Sequence, residues 1–112
     1  MDLTQLEKSV LDWFSSRNDS AELREQCELA SVSGRQHTGV GVFVQLSCPA
    51  SCKPVQFGCA PNAPQIKSQE LPHGASVDLW FESGRINHLE FISLGSSPFP
   101  LASFPYNLVE EL

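Results

Sequence analysis

Asp78, His88 and Glu90 lie in a segment, residues 73–95, whose side chains separate into an apolar and a polar set only if it folds as a β-hairpin. All three then share the polar face, with Trp80 between them and Asp78 directly or diagonally across from His88. Carboxylates beside a histidine favour imidazolium, a group suited to acid–base work, pH sensing or metal ligation. The competing reading is a solvated sheet face on which opposite charges pair. Four thiols form a second set. Cys48, Cys52 and Cys59 follow the pattern C-x3-C-x6-C, and with Cys27 they are numerous enough for a tetrahedral zinc site. That spacing is not the one of a paired zinc knuckle, and Cys27 would have to reach the others from the middle of a helix. A metal held by Cys48, Cys52 and Cys59 and a redox pair of Cys48 with Cys52 therefore compete with ordinary reduced thiols, which are favoured.

No cofactor is expected, because G-x-S-x-G, G-x-x-x-x-G-K-[ST], H-E-x-x-H and G-x-G-x-x-G are all absent. Gly39-Val40-Gly41 is a lone glycine pair and reads as a packing feature rather than a phosphate loop. His37 and His73 each stand beside a glycine-containing turn, where hydrogen bonding within the turn is the simpler role.

The hairpin register follows from parity. A two-residue turn at Ser83-Gly84 would pair odd positions with even ones and mix the two faces. A three-residue loop, Glu82-Ser83-Gly84 with Gly84 left-handed, pairs odd with odd. Val77, Leu79, Phe81, Leu89 and Phe91 then form one apolar surface.

Other elements must support that hairpin. Leu3, Leu6, Val10, Leu11, Trp13 and Phe14 recur at spacings of three and four, which predicts an amphipathic helix with Trp13 and Phe14 in the core. Asp19 and Glu22 have capping-box spacing for a second helix ending near Leu29. The period then changes to two: Val40, Val42, Val44 and Leu46 predict a half-buried strand, and residues 31–35 a shorter one paired with it. Gly39 and Gly41 imply close packing by a neighbouring backbone or a bulky side chain. Pro49, Pro54, Pro61 and Pro64 make residues 48–70 mainly loop, with one short strand at residues 55–57. The tail from Ser96 holds Phe99, Leu101, Phe104, Tyr106 and Leu108 among three prolines. It is too apolar to float, and wraps over the sheet or a helix or enters an oligomer contact.

The expected architecture is α+β: two N-terminal helices packed on an antiparallel sheet of four or five strands, in a single domain over residues 1–112. With Asp+Glu 13 against Lys+Arg 7, the net charge of -6 argues against nucleic acid and anionic membranes; it would draw in a basic protein partner, against the simpler and favoured reading that the acidity only keeps the protein in solution. The start of the chain lacks the pattern of a signal peptide and no stretch has the length of a membrane span, so a cytoplasmic location is expected.

Thr38-Gly39-Val40-Gly41, His73-Gly74-Ala75, the Glu82-Ser83-Gly84 turn followed by Leu89-Glu90, and Pro98-Phe99-Pro100 resemble elements shared by a family of small bacterial proteins of unknown function. The likeness runs over most of the chain from Leu23 onward, whereas residues 48–64 have no counterpart in it. The resemblance implies a bacterial origin and a common fold and assigns no catalytic residue. Two function classes follow. One is a non-enzymatic, acidic protein-binding domain of immunity type or regulatory kind. The other is a small enzyme or ligand-binding domain that uses Asp78, His88 and Glu90.

Overall fold

The computed structural model describes residues 2–110. Its first helix, α1 (Gln5–Arg17), begins at Thr4, whose side chain accepts from the Glu7 backbone N–H at 3.1 Å. The Glu7 carboxylate reaches back to the Thr4 N–H at 2.8 Å and completes a capping box. Val10, Leu11 and Phe14 are buried. Trp13 is only half-buried; its indole N–H donates to the Asn62 carbonyl at 2.9 Å and the Arg17 guanidinium covers its ring. The second helix, α2 (Ala21–Glu28), is capped by Ser20 rather than Asp19: the Ser20 hydroxyl accepts from the Leu23 N–H at 3.1 Å.

Six strands follow: β1 (Ser31–His37), β2 (Gly41–Ser47), β3 (Pro64–Ser68), β4 (Leu71–Glu82), β5 (Arg85–Ser93) and β6 (Asn107–Glu110). They form one sheet in the order β1-β2-β5-β4-β3-β6, and every pairing is antiparallel. The α+β architecture with helices packed on a sheet is as expected, but the strand count is six rather than four or five. Both unexpected strands begin at or shortly after a proline. β3 starts on Pro64, the strand position at which a missing N–H matters least, and β6 follows the extended Phe104-Pro105-Tyr106. Residues 55–57 form no strand. Instead the Ala60 N–H donates to Leu79 and the Gly58 carbonyl accepts from Phe81, so the loop lies along the upper part of β4 with a single bridge from Cys59 to Trp80.

The β4–β5 hairpin sorts its faces as parity requires, but by a different device. Ser83 and Gly84 form a two-residue turn, both with positive φ (52° and 78°), closed by Glu82 opposite Arg85. A bulge then shifts the register between Trp80 and Phe81, and Leu79 faces Leu89 while Val77 faces Phe91. The extra residue, Asn87, restores the parity that a three-residue loop would have supplied. Val77, Leu79, Phe81, Leu89 and Phe91 are all buried, in one core with Val42, Val44, Leu46, Ile66 and Ile86 and with the apolar sides of both helices. At Gly41 a Cβ would overlap the Phe91 carbonyl, the close backbone approach expected there, whereas a Cβ at Gly39 would meet nothing, and the positive φ of 88° is what favours glycine.

A second bulge, between Val32 and Gly34, turns Arg35 and His37 of β1 toward the helix side of the sheet. Arg35 meets Glu7 there as a two-pronged pair, Nε to Oε2 at 2.8 Å and Nη2 to Oε1 at 2.7 Å. The bond to Glu7 raises the Arg35 pKa above its ordinary value. The tail packs on its own chain. Phe99 is buried, its N–H donates to the Gly39 carbonyl at 2.9 Å, and Leu108 pairs with Ile66 where β6 joins β3.

Candidate functional site

Both helices cover one face of the sheet, so the side chains of alternate positions on β2, β5 and β4 project from the other. They stand in two rows. Gln45 faces His88, His88 faces Trp80, and Trp80 faces Cys59 on the adjoining loop; in the next row Phe43 faces Glu90 and Glu90 faces Asp78. This brings Asp78, His88 and Glu90 together on one face, with Asp78 diagonal to His88. Packing decides what the histidine does. Its ring lies 6.2 Å from Trp80 at an interplanar angle of 19° and 5.2 Å from Phe43, and Nδ1 is 2.7 Å from the Asn87 Oδ1. Among the described residues neither carboxylate forms an ion pair with His88, and no cation pairs with Asp78 or Glu90. The two acids therefore oppose each other directly across β4 and β5, an arrangement that disfavours the folded sheet. Trp80 is 38% exposed and Ile92 37%, and they flank the acidic row from opposite sides along the strands.

The thiols divide between two places. Cys59 is on the outer face beside Trp80, and its pKa is raised by burial and then by the charge of Asp78. Cys27, Cys48 and Cys52 cluster at the far end of β2, under the β4–β5 turn. Burial pushes the Cys27 thiol up to about 11. Burial and then the neighbouring Cys48 thiol raise that of Cys52. Among the described residues no group of three or more His, Cys, Asp or Glu side chains is arranged to hold a metal ion.

Two polar residues organise that end of the molecule. Gln26 is fully buried on α2, yet its amide donates to the Lys53 and Gly84 carbonyls at 2.8 and 2.9 Å. Its oxygen accepts from the Ile86 N–H at 2.7 Å and the Cys48 thiol at 3.6 Å. Arg85 donates to the carbonyls of Cys48, Pro49 and Cys52 and places Nη2 3.3 Å from the Cys48 sulfur. The sequence carried one sign of this: Gln26 falls beside Cys27 and three residues after Leu23, on the side of α2 that must be apolar.

On the helix side, a cleft of about 780 Å³ opens between the start of α1, the β1–β2–β5 surface and residues 99–106. Val42, Val44, Phe91, Phe99 and Phe104 give it apolar walls, and His37 stands at its edge. Several of its polar groups already have partners: Glu7 holds Arg35, and the Tyr106 hydroxyl is 2.7 Å from that of Ser9. Among the described residues no helix is long and apolar enough to cross a membrane. No family model, no curated protein and no solved structure matches the chain.

Proposed function

We propose that this chain is a non-enzymatic, acidic protein-binding domain of immunity type or regulatory kind, and that it holds a basic partner on the outer face of its sheet. The observation that carries the reading is the Asp78–Glu90 pair, two carboxylates directly opposed with no cation pairing with either among the described residues, beside the exposed Trp80. Like charges in that position work against the sheet, and a lysine or arginine inserted between them would remove the repulsion. Trp80, one row along from the acids, supplies aromatic contact area of the kind that anchors protein interfaces. The net charge of -6 extends the attraction beyond contact distance.

The rival reading, a small enzyme or ligand-binding domain built on Asp78, His88 and Glu90, draws only on their shared face. Packing of the His88 ring, stacked on Trp80 and tilted against Phe43, supports a recognition surface better than a proton-transfer group. The binding reading is tested by capturing partners on immobilised protein at low and at high salt, with Trp80→Ala in parallel. The expected partner is basic, is released by salt and is lost with Trp80. A partner kept by both proteins without salt sensitivity would overturn the reading.

A further inference from the structure

We propose that Cys48 and Cys52 form a reversible dithiol pair that reacts with small-molecule disulfides, with Cys48 as the attacking sulfur and Cys52 as the resolving one. Three features support it. First, the Cys52 N–H donates to the Pro49 carbonyl at 3.0 Å, a turn that folds the chain back on itself, and Arg85 donates to the carbonyls of both Cys48 and Cys52, which holds the two residues side by side. Second, Arg85 places Nη2 3.3 Å from the Cys48 sulfur, where a cation supports the negative charge that sulfur carries as it attacks. Third, access differs between the two thiols. Cys48 is half-buried and open to a reagent, whereas Cys52 is 4% exposed and is reached through its neighbour.

In the first step the Cys48 thiolate attacks one sulfur of oxidised glutathione, forming a mixed disulfide and expelling one glutathione thiolate. The Cys52 thiolate then attacks the Cys48 sulfur of that mixed disulfide and expels the second. Two protein thiols are oxidised by two electrons, the glutathione disulfide is reduced to two thiols, and the protons from Cys48 and Cys52 pass to those thiols through solvent. The fold tolerates the change. Cys48 gives up its weak contact with the Gln26 oxygen, which still accepts from the Ile86 N–H.

Cys59 is the internal control, because it has the same intermediate exposure as Cys48 but an acid rather than an arginine beside it. The test incubates the full chain with oxidised glutathione, quenches by alkylation, and reads intact mass and peptide maps. Wild type is expected to lose two hydrogens through a Cys48–Cys52 disulfide, leaving Cys27 and Cys59 open to alkylation after denaturation. Cys52→Ser is expected to stop at a glutathione adduct on Cys48, formed about tenfold faster than any adduct on Cys59. The wild-type result is decisive even if a variant fails to fold. A stable adduct on Cys48 with Cys52 still alkylatable, first reaction at Cys59, or no reaction would each overturn the proposal.

Discussion

The two faces of the sheet treat a carboxylate in opposite ways. On the helix side Glu7 is buried and satisfied three times over, by both prongs of Arg35 and by the Thr4 N–H. On the outer side Asp78 and Glu90 are half-buried, face each other, and have no cation among the described residues. A carboxylate that the fold depends on is fully partnered, because an unpaired buried charge costs several kcal/mol. One left opposed and unpartnered on an open face is carrying a cost that the fold does not require, and a partner can relieve it.

The largest effect is expected when the satisfied carboxylate is changed. Glu7→Gln keeps the size of the side chain but removes the charge that both prongs of the partly buried Arg35 hold, and urea unfolding is expected to show a loss of about 2–3 kcal/mol. An equally large loss on changing Glu90→Gln would erase the distinction between the faces.

Alkaline titration probes the helix side in a second way. Burial raises the folded-state pKa of Cys27 from 9.0 to about 11, so the folded chain holds that proton more tightly than the unfolded one. The stability this contributes is full below pH 9 and is lost as the pH rises through about 11. Cys52 and Cys59 are shifted in the same direction and add to the slope. Unfolding measured across that window is expected to become easier in wild type and to change less in Cys27→Ala.

The smallest effect on stability belongs to the outer face and has the opposite sign. Glu90→Lys puts a cation directly across from Asp78 and is expected to stabilise the sheet by about 0.5 kcal/mol, while abolishing capture of a basic partner. A variant that is destabilised, or that is stabilised and still binds, would contradict the role given to the opposed acids.

Much of this contrast is legible in the sequence because strand alternation is local. Val77, Leu79, Phe81, Leu89 and Phe91 declare the core face, and Asp78, His88 and Glu90 then fall on the other. The turn itself is not legible. A three-residue loop and a two-residue turn followed by a bulge at Asn87 give the same parity, and both put Gly84 in the left-handed region. Long-range contacts are hidden for a different reason. Glu7 and Arg35 are 28 positions apart, and they meet only because the bulge between Val32 and Gly34 turns the arginine inward. Thr4 and Glu7 do carry capping-box spacing, which signals the start of α1 but not the second partner of the glutamate. The spacing of Cys48 and Cys52 marks them as neighbours, whereas the arginine that touches Cys48 comes from 37 positions away. Proline-rich surroundings concealed β3 and β6, whose pairing depends on their partners more than on their own sequence.

The most direct measurement is partner capture at low salt by wild type and by the double variant Asp78→Asn with Glu90→Gln, which removes both charges and leaves the aromatic row in place. The expected result is a basic partner held by wild type, released as salt is raised and absent from the variant, with the variant at least as stable as wild type. Equal retention of the same partner by both proteins would contradict the claim that the opposed carboxylates are a binding site.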